Sequence, residues 1–158
     1  MDFNKFLSKL LPEITAYAHC DIPCGIYEPT PAKIAAMTVR RMAEQITALS
    51  QDNPPTLNTR NTFVRMTQVK EEHAQLCKKE LLILWTDFFK PEHLEKFPEL
   101  HETFWKAAKL CSKNKQEVKP ELAQQLVDAV DEIAEIFYTV KNMPERFEAY
   151  KTLTDKLY

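Results

Sequence analysis

The chain has 158 residues, a length that suits one domain, and 44% of them are hydrophobic, which is enough for a sizeable core. Its 21 basic and 23 acidic residues leave a formal net charge of −2, which gives no reason to expect nucleic acid as a partner. No run of about eighteen apolar residues predicts a membrane-spanning helix. A single glycine argues against a β-rich fold, because β-turns usually need glycine.

The first 18 residues, MDFNKFLSKLLPEITAYA, form a candidate leader. Lys9 and Pro12 interrupt its apolar stretch, so it is a poor secretory signal, although the closing AYA resembles a signal-peptidase site. We therefore predict a propeptide over residues 1–18 that a dedicated maturation peptidase removes between Ala18 and His19, and a cytoplasmic protein. The alternative is a short amphipathic helix that stays attached.

The stretch HCDIPCGIY, residues 19–27, concentrates metal-binding groups. Cleavage before His19 would expose a free amine and an imidazole, next to the amide nitrogen of Cys20 and two thiolates. The amine, the amide and the Cys20 sulfur can form fused chelate rings, and Cys24 can complete a plane because proline and glycine flank it. A tetragonal plane of nitrogen and sulfur suits Ni(II) or Cu(II) better than tetrahedral zinc.

The rest of the chain has the periodicity of amphipathic helices. We predict helices over about 31–50, 60–89, 98–113 and 120–141, a loop at QDNPPTLN, and a last short helix in PERFEAYKTLTDKLY. The predicted buried faces carry Ala35, Val39, Met42, Ile46 and Leu49; Met66, Val69, His73 and Leu76; Leu100, Phe104, Ala107 and Cys111; and Leu122, Leu126, Val130, Ile133, Phe137 and Val140. The run LLILW should also be buried. The predicted fold is all-α: an antiparallel up-and-down four-helix bundle over about 31–141, with an N-terminal metal-binding hook and a C-terminal helical extension, residues 142–158.

The other histidines offer weaker metal sites. The sequence contains no Glu-x-x-His, so a ferritin-type di-iron centre is not predicted. His73 and Cys77 lie four residues apart on one predicted helix and could share a metal, but a buried histidine beside a core cysteine is the commoner arrangement. We interpret His93 and His101 as structural or surface residues.

The hook resembles that of the nickel-containing superoxide dismutases, whose pattern is His-Cys-x-x-Pro-Cys-x-x-Tyr. The segments RMTQVKEEHAQL and LWTDFFKPEHLEKFPELH are similar to later helices of that family, so the resemblance covers roughly residues 19–141. It implies a homohexamer of four-helix bundles with one nickel ion per subunit. It also implies an antioxidant oxidoreductase that converts superoxide to dioxygen and hydrogen peroxide by cycling between Ni(II) and Ni(III).

The resemblance also implies roles for particular residues. The ligands would be the amine and imidazole of His19, the amide nitrogen and sulfur of Cys20, and the sulfur of Cys24. Tyr27 would stand near the open face of the metal, and Lys90 near the entrance, where it would attract the anionic substrate. The residues expected to surround the ligands are Asp21, Pro23, Arg65 and His73.

The sequence departs from the family at three positions: Ala35 stands where a glutamate often binds the axial imidazole, His73 replaces its arginine companion, and Phe88 replaces a second tyrosine. We expect His73, with Glu72 nearby, to replace the axial partner. Tyr27 could instead merely pack the hook, and Lys90 merely cap a helix.

The hook cysteines could also form a reducible disulfide. The alternative function is a non-catalytic metal-binding or thiol-redox protein that keeps its leader. A purely structural bundle would bind no nickel.

Overall fold

A computed structural model describes residues 25–49, 55–154 and 157 of the chain. The regular elements in these ranges are all helical. The predicted leader lies outside the described residues, and so do the first six residues of the hook: His19, Cys20, Asp21, Ile22, Pro23 and Cys24.

Four helices form the predicted bundle. They are α1 (Thr30–Leu49), α2 (Leu57–Ile83), α3 (Leu100–Gln116) and α4 (Pro120–Val140). A π-helical turn, Leu84–Phe88, extends α2, and a 3₁₀ turn, Pro91–Glu95, leads towards α3. Helices α1 and α3 each pack against both α2 and α4, which closes the bundle and confirms the predicted fold class.

The helix ends follow local sequence signals. The backbone N–H of Thr59 donates to Thr56 Oγ1 at 3.1 Å, so Thr56 caps α2. Helix α2 therefore begins at Leu57, inside the segment QDNPPTLN, and the prediction of a loop through residue 58 was wrong at its end. Pro120 opens α4, as a proline at the first helical position should.

The buried stripe of α2 differs from the predicted one. Leu76 is exposed, and the other three residues of the predicted face are only half-buried. The observed stripe carries Lys70, Ala74, Cys77 and Leu81. In LLILW, Leu81 and Leu84 are buried but Leu82 is 36% exposed, so the prediction that the whole run is buried was also wrong. The predicted stripes of α1, α3 and α4 are confirmed, with half-buried residues towards their ends.

A fifth helix, α5 (Pro144–Thr154), packs against α4 and α1. Tyr150 is its main anchor: the side chain is buried, and its ring lies 5.9 Å from that of Tyr138 on α4. The predicted C-terminal helical extension is therefore docked on the bundle. In the part of the chain that the structure describes, no helix has the length and apolar character needed to cross a membrane.

Candidate metal centre

The chain leaves the hook through a glycine turn. Gly25 has a φ of +70°, in the left-handed region that glycine adopts without strain. A β-carbon there would meet nothing within 4 Å, so the backbone conformation, not lack of space, favours glycine. Gly25 therefore has the backbone freedom that the hook prediction requires beside Cys24, and the bend itself stays a prediction because Cys24 lies outside the described residues.

Beyond this turn lies a groove of about 420 Å³. The end of the π-helical turn, the 3₁₀ turn and the end of α4 meet there. Its described lining consists of Gly25, Tyr27, Asp87, Phe88, Lys90, His93, Val140 and Lys141. The structure thus brings together Tyr27 and Lys90, the two outer residues predicted for the site, although 63 positions separate them in sequence.

One wall of the groove is aromatic. The ring of Phe88 lies 5.7 Å from that of Tyr27 and 4.5 Å from that of Phe137, between centroids. Tyr27 is half-buried and also lines a second, smaller cavity of about 260 Å³. The packing role considered for Tyr27 is therefore real, and it holds the residue at the edge of the groove.

Lys90 and His93 are coupled through the backbone. The N–H of Lys90 donates to His93 Nδ1 at 3.1 Å, just before the 3₁₀ turn begins at Pro91. The capping role considered for Lys90 therefore falls to its backbone, while its exposed side chain lines the groove. Since Nδ1 of His93 accepts this bond, Nε2 carries the ring proton of the neutral form. His93, interpreted from the sequence as structural or surface, also lines the groove.

Lys141 is a second cation of the groove that the sequence analysis missed. Its Nζ lies 5.3 Å from the ring centroid of Phe137 and 6.0 Å from that of Phe88, within the range of cation–π attraction. Asp87 is the one carboxylate of the described lining, and it accepts a hydrogen bond from Thr86 Oγ1 at 2.7 Å. The described groove is therefore locally positive, although the whole chain is slightly acidic.

The remaining predicted site residues on α2 stand apart from this groove. Arg65 is exposed, and the described lining does not include it. His73 is half-buried, and its Nδ1 contacts the carbonyl oxygen of Val69 at 2.9 Å. Glu72, expected beside His73, accepts from Gln68 Nε2 at 2.8 Å instead.

Two other positions considered for the metal site, Ala35 and Cys77, are buried in the core. Ala35 is fully buried in the core, where its methyl group offers no hydrogen bond. Cys77, considered as a metal partner of His73, is fully buried in the core, as is Cys111. Within residues 25–49, 55–154 and 157, no group of three or more histidine, cysteine or acidic side chains could hold a metal ion.

Comparisons with known proteins agree with this arrangement. A sequence profile of the nickel-containing superoxide dismutases matches residues 14–141. The chain is 38% identical over 136 residues to a superoxide dismutase [Ni] of Streptomyces coelicolor, covering 85% of this chain and 98% of that protein. The corresponding enzyme of Streptomyces seoulensis is also 38% identical, over 137 residues, with the same coverage.

Solved structures show the same likeness. A Ni-containing superoxide dismutase with nickel ligation corresponding to the oxidised state superposes with a TM-score of 0.69 at 37% identity, covering 78% of this chain and 99% of that one. A native nickel superoxide dismutase gives the same TM-score at 36% identity and the same coverage. The fold and these likenesses place the chain among helical-bundle metalloenzymes of the oxidoreductase class. The chain belongs to the nickel-containing superoxide dismutase family.

Membership confirms the resemblance, and with it superoxide dismutase activity and nickel as the cofactor. The donors available in the hook suit that metal, since thiolate and nitrogen ligands favour a tetragonal nickel site. The non-catalytic alternative is not favoured. The profile ends at residue 141, so α5 lies beyond the matched segment.

Proposed function

We propose that the chain without residues 1–18 binds one nickel ion per subunit through His19, Cys20 and Cys24 and dismutates superoxide there. When bound, nickel supplies one-electron chemistry by alternating between Ni(II) and Ni(III). The observation that carries the proposal is the positive groove that begins at Gly25, one residue beyond the last proposed ligand. The experiment that tests it compares the trimmed and full-length chains.

The lining residues have distinct roles in this proposal. Lys90 and Lys141 attract the superoxide anion to a groove on a chain whose net charge is negative. Tyr27 narrows the groove from the hook side, where its hydroxyl orders water and excludes larger anions. Since Phe88 supplies no hydroxyl, Tyr27 is the sole phenol in the described lining.

The surroundings of the ligands are part of the proposal. Asp21 and Pro23 lie within the hook sequence, where a proline would favour a bend beside Cys24. Arg65 keeps the electrostatic or structural role that the resemblance implies. His73, which departs from the family pattern, would take over as the partner of the His19 imidazole. The contact between His73 Nδ1 and Val69 supports this role for His73, because it leaves Nε2 to meet the imidazole of His19.

Assembly and maturation complete the proposal. A maturation peptidase cuts between Ala18 and His19, in the cytoplasm, and freeing the amine of His19 completes the ligand set. Six subunits associate. Apolar residues exposed on α2 support association, since Leu57 is 82% exposed and Val64 is 63% exposed.

The decisive experiment measures superoxide dismutation by chain 19–158 with nickel added, beside the full-length chain under the same conditions. We expect turnover only from the trimmed, nickel-loaded chain, because only that chain has the free amine of His19. Cys20→Ser in the trimmed chain should abolish both nickel binding and turnover. Nickel binding without turnover by the trimmed chain would favour the metal-binding alternative, and equal turnover by both chains would refute the role of the amine.

A further inference from the structure

Glu28 ties the segment between the hook and α1 to the bundle. The hydroxyl of Tyr138 on α4 donates to Glu28 Oε1. Thr30 Oγ1 donates to the same oxygen at 2.9 Å. Glu28 follows Tyr27 directly and lies four residues beyond Cys24, so this carboxylate is bonded close to both the groove and the proposed ligands.

The C-terminal helix α5 holds Tyr138 in place. The Tyr138 ring lies 6.2 Å from that of Phe147 and 5.9 Å from that of Tyr150, and the residue is 3% exposed. Tyr150 donates to Asp131 Oδ1 at 2.9 Å, and the buried Lys33 binds the same carboxylate at 2.6 Å. These contacts attach α5 to both α4 and α1, so the Tyr138 ring is confined between helices and its hydroxyl has a fixed direction.

We propose that Tyr138 is a positioning residue for the metal-binding hook, acting through Glu28, and that α5 serves to confine it. The proposal rests on the proposed nickel ligands. A chain of four residues spans at most about 14 Å when extended, and the Gly25 turn shortens this reach. Fixing residue 28 therefore limits where Cys24 and Tyr27 can lie, as preorganised binding sites require.

The matched pair Tyr138→Phe and Tyr150→Phe tests the proposal. Each change removes one hydroxyl that donates to a carboxylate, and the two residues are 3% and 4% exposed. In nickel-loaded chain 19–158, we measure nickel release to a chelator by metal analysis and the electron paramagnetic resonance spectrum of the oxidised metal. We expect Tyr138→Phe to speed nickel release roughly three- to tenfold, since the hydrogen bond that holds Glu28 is lost, and to shift the spectrum.

Tyr150→Phe should lower the unfolding temperature but keep nickel release within about twofold of the parent and the spectrum unchanged. Glu28→Gln keeps an oxygen that can accept from Tyr138 and should retain nickel as the parent does, whereas Glu28→Ala should resemble Tyr138→Phe.

Three outcomes would overturn the proposal in different ways. A parent chain that binds nickel, with Tyr138→Phe matching it in release and spectrum, would show that the bond to Glu28 only stabilises the fold. Equal acceleration by both tyrosine changes would show a general loss of stability. A parent chain that binds no nickel would refute the ligand assignment itself, and the positioning role with it.

Discussion

A single lysine at the groove, Lys90, should affect the rate at which superoxide reaches the proposed metal site. We expect Lys90→Met in the nickel-loaded, trimmed chain to lower kcat/KM roughly three- to tenfold at low ionic strength, because local positive charge raises encounter rates. The difference should shrink as salt is added, since screening acts over about 10 Å at 0.1 M. The measurement is the dismutation rate across a salt series.

The control for this change is Lys96→Met. Lys96 is exposed and directly follows the 3₁₀ turn that Lys90 precedes, but it does not belong to the described lining of the groove. Its loss should alter kcat/KM by less than about twofold at any salt concentration. If the two variants lose the same rate, steering depends on overall charge and not on the position of Lys90.

Lys70 should matter for stability more than any exposed lysine. Its 1% exposed side chain donates to the carbonyl of Asn114, and also to those of Lys115 at 3.2 Å and Glu117 at 3.3 Å. A cation at these carbonyls stabilises the C-terminus of α3. Lys70→Met should therefore lower the free energy of unfolding by about 3 kcal/mol, since it leaves buried acceptors unpaired.

Chemical denaturation of the two variants Lys70→Met and Lys78→Met provides the comparison. Lys78 also reaches from α2 to α3, where it donates to Ser112 Oγ at 3.2 Å, but it is only half-buried. Its replacement should cost less than about 1 kcal/mol. Similar losses from both changes would mean that the contacts of Lys70 with the end of α3 contribute little.

At the scale of helices, the periodicity of apolar residues predicted all four helices of the bundle, but it predicted the wrong buried face for α2. The stripes of α1, α3 and α4 are visible in sequence because apolar residues recur every three or four positions. In α2 the buried stripe contains Lys70, whose long side chain hides its ammonium group among backbone carbonyls, and the small residue Ala74. A hydrophobicity pattern therefore favours the wrong side, which carries Val69 and Leu76.

The sequence predicted only part of the groove that lies beside the candidate metal site. The hook motif and its later segments identified Tyr27 and Lys90, which meet in the groove. Lys141 escaped notice because it follows α4 without a motif, and only the closing of the bundle brings it near Phe88. His93 looked like an ordinary surface residue for the same reason: long-range packing gives it its neighbours.

The contact between α2 and α3 also contains a buried thiol pair with a pH signature. The hydrogen bond with Cys111, followed by burial, raises the pKa of Cys77 well above its usual range. As pH rises past about 8.5, the unfolded chain releases the Cys77 proton and the folded chain retains it, so alkali favours unfolding. Below about pH 8.5 both the folded and the unfolded chain keep the Cys77 proton, so the contribution of this group to stability is fully present there.

We therefore expect the parent chain to lose up to about 2 kcal/mol of stability from this group between pH 8.5 and 10. Cys77→Ala should be less stable at neutral pH because of the cavity that it leaves, but it should lose less on going to pH 10. Unfolding temperatures of both chains across this range provide the check. Parallel alkaline losses in the two chains would rule out Cys77 as the source.

At the scale of the whole molecule, the proposed hexamer requires an apolar surface. Leu57, Val64 and Leu82 are exposed on α2, and their spacing turns them away from the buried stripe of that helix. Exposed apolar residues grouped on one face commonly mark a contact between proteins. We expect Val64→Asp to convert the trimmed chain from hexamers to smaller species, because burying a lone carboxylate in a contact is costly.

Sedimentation velocity at micromolar concentration measures the size of the assembly that each chain forms, and Val118→Asp is the control. Val118 is 39% exposed, but it lies in the connection between α3 and α4 and does not belong to the exposed apolar face of α2. The parent and Val118→Asp should sediment as hexamers, and all three chains should show the same helical content by circular dichroism. If Val64→Asp remains hexameric, the subunits meet through another surface, and the exposed residues of α2 serve a different contact.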